Sequence, residues 1–194
     1  MNNITIICEK KESNYFLKLS HLENQVGIIY RATAVLFAYG WDILEANFEI
    51  SENNLIEDIF LIRNNQNEEM TEISLKKIQT DLEELFFKDL KVIDYLERFP
   101  ALTLTHPEST PPFIKIYNPS TIDCTVLDIR TSDRPGLLFE ISQLLYLLDI
   151  DIISVTAKTE DQMVRDSFLL RMNQTEMLDL KTMEKLEEGL AKIL

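Results

Sequence analysis

The chain has 194 residues, 45% of them hydrophobic and 27% charged, a globular balance able to bury a core. Its formal charge of −14 argues against nucleic acid and anionic membrane surfaces as partners, because both are held by clustered Lys and Arg. No basic region precedes the apolar run Ile4–Ile7 and no segment approaches the roughly 20 apolar residues of a spanning helix, so a cytoplasmic protein is expected.

In chain order, Ile4–Ile7 and Tyr15–Leu19 predict two short strands, rich in Ile, Phe and Tyr. Asn24-Gln25-Val26-Gly27 opens an apolar segment, Ile28–Tyr39, that reads as a helix. Strands at about Trp41–Ser51 and Leu55–Arg63 follow, then an amphipathic helix from Thr71 to about Phe87. Lys88–Phe99 fits a helix extension, a separate short helix or a strand, and Pro100–Pro112 has the composition of a linker. Beyond it, Phe113–Tyr117 and Cys124–Ile129 predict strands, and Asp133-Arg134-Pro135-Gly136 opens a helix over Leu137–Leu148. Strands at Asp151–Thr159 and Val164–Met172 precede a last helix from Leu178. Leu180, Met183, Leu186, Leu190 and Ile193 share one face of it.

The second half repeats the first. Gly27 and Gly136 are offset by 136 − 27 = 109 residues, and the same offset carries Asp42-Ile43 onto Asp151-Ile152. Asp58-Ile-Phe60-Leu-Ile-Arg63 matches Asp166-Ser-Phe168-Leu-Leu-Arg171 at 166 − 58 = 108, one turn residue having been lost. Only four glycines occur in the chain, so two at equivalent places are not a product of composition. The expectation is an α+β fold of two domains, 1–99 and 113–194, joined by the linker 100–112. Each is ββαββα, with a four-stranded antiparallel sheet and two helices on one face.

The best candidate site is Asp133-Arg134-Pro135-Gly136-Leu137-Leu138, between a strand and a helix. Asp133 can cap the first helical turn, Pro135 suits a helix's opening position, and Gly136 lets backbone approach a ligand closely. Open amides at the positive end of the helix favour a carboxylate or phosphate, although a capped helix start also needs no ligand at all.

With the flanking segments Phe113–Asn118, Thr125–Ile129, Ile152–Thr159 and Asp166–Phe168, this loop resembles the ACT domain family. More narrowly, it is similar to the last ACT domain of the bacterial PII uridylyltransferase/uridylyl-removing enzymes. Residues 113–194 carry the resemblance best, and 4–87 more weakly. It implies a ferredoxin-like fold whose domains pair edge to edge, within the chain or as a homo-oligomer. Amino acids bind where the strand-to-helix loop of one domain faces the second strand of its neighbour. By position it implies ligand contacts from Asp133, Arg134, Pro135, Gly136, Leu137 and Leu138 with Ile153, Ser154 and Val155 on the facing strand. Asp133 would meet the amino group, amides near Gly136 and Leu137 the carboxylate, and glutamine is the implied effector. A weaker second site would comprise Asn24, Gln25, Gly27 and Ile28, where charge and proline are missing. A protein partner in nitrogen or amino-acid regulation is also implied.

No catalytic machinery, cofactor or metal is expected. The chain has neither a Gly-Ser nor a His-Asp dipeptide, and Asp149-Ile150-Asp151 falls at a predicted turn with no phosphate-cradling loop. His21 and His106 are isolated, Cys8 and Cys124 form no CxxC, and Trp41 reads as core or interface packing. The leading expectation is a regulatory amino-acid sensor. The alternatives are a ligand-free dimerisation or interaction module and a uridylyltransferase-related regulatory subunit.

Overall fold

The computed structural model describes residues 4–23, 26–50, 55–104, 111–173 and 175–194. Asn24 and Gln25 of the weaker candidate site, and His106 of the linker, lie outside the described residues. The chain runs β1 (Thr5–Lys11), β2 (Asn14–Glu23), α1 (Ile28–Ala38), β3 (Trp41–Ile50), β4 (Leu55–Asn64), α2 (Glu72–Phe87) and α3 (Val92–Leu96). It continues β5 (Phe113–Tyr117), β6 (Thr125–Ser132), α4 (Leu137–Leu147), β7 (Ile150–Glu160), β8 (Met163–Met172) and α5 (Leu180–Ile193). The open question at Lys88–Phe99 is answered by the separate short helix α3.

The strands form one antiparallel sheet of eight, in the order β1-β2-β4-β3-β7-β8-β6-β5. An α+β chain with an antiparallel sheet results. Its centre is the junction of the two halves, where β3 pairs with β7 at Glu45↔Lys158, Ala46↔Ala157, Asn47↔Thr156 and Phe48↔Val155. Asn47 and Thr156 are equivalent positions at the offset of 109, so the two halves meet about a local two-fold axis through that pair. Both central strands are irregular at the same place, between Ile43 and Glu45 in β3 and between Ile152 and Ser154 in β7. These bulges let each strand twist away from its neighbour beside the junction.

Period-2 alternation puts one face of this sheet against the helices. Leu17, Phe60, Ala46, Ala157, Asp166 and Ile129 are successive cross-strand partners, and all are buried. Helices α2, α1, α4 and α5 contact one another in that order. The inner two are apolar nearly all round: every residue of α1 except Arg31 is buried, as a helix enclosed by sheet and neighbours requires. The outer helices keep a solvated face and begin on side-chain caps. Thr71 accepts from the Ser74 amide at 3.1 Å and Asp179 from the Thr182 amide at 2.7 Å. Among the described residues no helix is long and apolar enough to cross a membrane.

Candidate functional site

The candidate loop lies at the seam between the halves. Asp133, Arg134, Gly136, Leu137 and Leu138 line a cavity whose opposite wall is Trp41, Asp42, Ile43 and Leu44 of β3. The first half's β3 therefore faces the loop, and β7 adds Ala157, Lys158 and Thr159 to the lining. Ile153, Ser154 and Val155 line neither seam cavity. The reason is the β3–β7 pairing, which turns each half's strand-to-helix loop toward the other half's strand. Ile153 falls at the bulge of β7, Ser154 pairs with Leu169, and Val155 is fully buried opposite Phe48.

Two further corrections concern the loop itself. Helix α4 is capped by Gly136 in the left-handed region (φ 80°), with no side-chain cap bond, so Asp133 is not the cap. Its amide instead donates to the Gln162 carbonyl at 2.9 Å, and its carboxylate accepts from the Arg134 amide and the Thr159 hydroxyl. Pro135 precedes the cap rather than opening the helix, and lines an outer cleft with Phe99, Pro100 and Leu102. Arg134, 6% exposed, pairs with Glu140 of α4 and donates to the Ile193 carbonyl of α5 at 2.7 Å. It anchors the loop to two helices while also lining the cavity. Of the amides expected to hold a carboxylate, that of Leu137 donates to the Arg134 carbonyl at 3.2 Å.

The residues of this site that the repeat pattern marked only as equivalences are acidic. Asp42 of β3 and Asp166 of β8 are each about 5% exposed and line the cavity with Asp133. Burial, reinforced by the Asp133 charge, pushes the Asp42 carboxyl up to about 6, against the pull of Arg63 at 3.4 Å. Burial likewise pushes Asp166 up to about 7, although one of its oxygens accepts from the Lys158 amide. Its other carboxylate oxygen has no hydrogen-bond partner. Desolvation raises Asp133 as well. The cavity is small, about 20 Å³, the room of one or two waters. Phe37 and Trp41 form its apolar wall, Trp41 also standing edge-on to Tyr15 at 5.5 Å.

The second seam cavity is the two-fold counterpart of the first. Gly27 (φ 84°) caps α1 without a side-chain bond and, with Ile28, Tyr30 and Tyr146, faces Ile150, Asp151 and Ile152 of β7. Where α4 carries Glu140, α1 carries Arg31, which donates to the Val26 carbonyl at 2.9 Å and lies between the rings of Phe86 and Tyr146. Among the described residues lining it, the one acidic group is Asp151, raised by burial. Asp149 takes the left-handed turn (φ 55°) between α4 and β7, so the Asp149-Ile150-Asp151 run is split between a turn and a buried strand. Among the described residues no group of three His, Cys, Asp or Glu is placed to hold a metal ion.

No protein-family model matches the chain. It is 26% identical over 149 residues to the bifunctional uridylyltransferase/uridylyl-removing enzyme of Azospirillum brasilense, covering 75% of this chain and 16% of that protein. It is 26% identical over 175 residues to an ACT domain-containing protein of Arabidopsis thaliana, covering 88% of this chain and 35% of that one. The chain thus spans well under half the length of either relative. Among solved structures, aspartate kinase from Synechocystis aligns with 93% of this chain and 26% of its own, at a TM-score of 0.48 and 12% identity. In sequence, then, this chain resembles ACT-domain proteins and a uridylyltransferase/uridylyl-removing enzyme, the similarity its repeated motifs imply.

Proposed function

We propose that the chain is a non-catalytic regulatory sensor of amino acids, built of two tandem ACT domains (1–99 and 113–194) joined by the linker 100–112 and paired edge to edge. The observation that carries this reading is the placement of the Asp133–Leu138 loop of one half across the seam from Asp42-Ile43-Leu44 of the other. A ligand there touches both halves at once. Asp133 offers an anion for an α-ammonium, and the amino end of α4 offers a positive potential for the carboxylate. An amino acid is larger than the cavity, so it enters only by parting the loop from β3. Because binding then favours one arrangement of the halves over another, ligand level is converted into a change of shape that a partner protein can read.

Isothermal titration of the twenty amino acids, glutamine first, tests the reading. We expect saturable heat for at least one of them at millimolar ligand or below, abolished by Asp133→Ala, and a matching rise in melting temperature. Absence of heat and of any thermal shift for all twenty overturns it. One observation favours a second reading, a ligand-free pairing module: Phe37 is packed so closely on Gly136 that a Cβ there would lie 2.8 Å from the ring. That reading expects an unchanged assembly and no thermal response to any amino acid.

A further inference from the structure

We propose that the cavity between Asp133 and β3 selects an amino acid with a second cationic group on its side chain over a neutral one. This rests on the amino-acid-sensor reading above and specifies its ligand.

Three carboxyl groups from three elements line the cavity: Asp42 from β3, Asp133 from the loop and Asp166 from β8. One α-ammonium balances the charge of only one of them. The cations nearby are already committed. Arg63 lies 3.4 Å from Asp42, Lys158, which also lines the cavity, pairs with Glu160 at 2.6 Å, and Arg134 pairs with Glu140. Asp166 is the independent pointer. It is about 95% buried, it lines the cavity, and one of its oxygens has no hydrogen-bond partner. A buried acceptor left unpaired is costly, and a donor brought by a ligand removes that cost. A charged donor is worth more than a neutral amide in such a site.

Asp133 raises both Asp42 and Asp166 through its charge, so the three carboxyls form one acidic lining, and among the described residues no three His, Cys, Asp or Glu are placed to hold a metal ion. Such a lining matches a ligand with two cationic groups: the α-ammonium on Asp133, the side-chain ammonium or guanidinium toward Asp166 and Asp42, and the carboxylate toward the start of α4.

Trp41 is the one tryptophan of the chain and lines this cavity, so its fluorescence reports occupancy directly. Lysine, arginine, glutamine and 1,5-diaminopentane are titrated into the full chain, with calorimetry alongside. Lysine or arginine binding at least tenfold more tightly than glutamine is expected. Asp166→Asn and Asp42→Asn, each checked for folding by circular dichroism, should then bring the lysine-to-glutamine affinity ratio toward one. Glutamine binding as tightly as lysine overturns the inference and leaves the sensor reading standing. The diamine binding more tightly than lysine also overturns it, because the carboxylate is then not read. No binding by any of the amino acids overturns both.

Discussion

Thr33 Oγ1 and Ser142 Oγ lie 3.0 Å apart in the buried centre of the helix layer, and they are the same position of the repeated unit, separated by 109 residues. Around them runs a ladder of rings with the same symmetry. Phe37 stacks on Phe139 at 5.5 Å, Phe139 on Tyr30 at 5.8 Å, and Tyr30 on Tyr146 at 5.0 Å. Tyr30 and Phe139 are equivalents, as are Phe37 and Tyr146. Each half thus supplies the ring that covers the other half's loop glycine, Phe37 on Gly136 and Tyr146 on Gly27. Pairing of the halves and construction of the candidate loop are one packing problem.

The hydroxyl pair gives the first prediction. Thr33 also reaches the Ile29 carbonyl at 2.7 Å and Ser142 the Phe139 carbonyl at 2.9 Å, so each hydroxyl keeps a backbone acceptor when the other is removed. Thr33→Val and Ser142→Ala should each cost about 1 kcal/mol. Because they share one contact, the double variant should cost less than the sum, by roughly 0.5 kcal/mol or more in urea unfolding. Strict additivity would mean that the contact contributes nothing.

Gly136→Ala tests the approach of the rings. The substitution meets two obstacles: a left-handed backbone costing an L-residue about 1–2 kcal/mol, and a Cβ lying 2.8 Å from Phe37 and 2.9 Å from Leu104. The second obstacle adds about 1–3 kcal/mol. Adding Phe37→Leu should recover part of the steric cost and none of the backbone cost. Full recovery in the double variant would show that φ is not a constraint.

Much of this arrangement is legible in the sequence, and the reasons are local. The offset of 109 carries α1 onto α4 residue for residue, and helix starts at Ile28 and Leu137 follow from Gly27 and Gly136. What periodicity cannot disclose is which strand edge meets which. The resemblance implies Ile153, Ser154 and Val155 opposite the loop, whereas the seam brings Trp41–Leu44 of β3 there and, of β7, Ala157, Lys158 and Thr159. Asp42 and Asp166 carried a signal, since each recurs in the repeat as Asp151 and Asp58. Recurrence marks a position without saying whether its side chain is buried or what it faces. Arg134 is the opposite case: a cation beside a candidate loop reads as a ligand contact, and only the packing of α4 and α5 shows that its guanidinium also holds Glu140 and the Ile193 carbonyl.

Asp58 is fully buried between Leu19 and Phe48 of the adjacent strands, and neither of its oxygens has a hydrogen-bond partner. Burial pushes its carboxyl up to about 8. An unfolded aspartate titrates near 3.9. The folded state therefore holds its proton across this interval while the unfolded state has lost it, and stability falls as pH rises from about 4 to about 8. Asp166, near 7, and Asp42, near 6, act in the same sense over narrower windows. The melting temperature should be higher at pH 5 than at pH 8, and Asp58→Asn should reduce that difference. An unchanged difference in the variant would remove Asp58 as its cause.

Arg134 separates anchoring from recognition. Its pair with Glu140 is buried on both sides, 6% and 9% exposed. Removing one partner of a buried pair leaves the other charge uncompensated, at a cost of about 3–5 kcal/mol, whereas removing both with apolar residues of similar volume is often neutral. Arg134→Met should lower stability by up to about that amount, through loss of the cation beside Glu140 and of the donor to the Ile193 carbonyl. Arg134→Met with Glu140→Met should recover most of it. If Arg134 serves the loop only by anchoring it, the double variant should bind amino acids within a few-fold of the unmodified chain by calorimetry. A hundredfold loss in a well-folded double variant would instead make Arg134 a ligand contact, returning to it the role that its place in the motif implies.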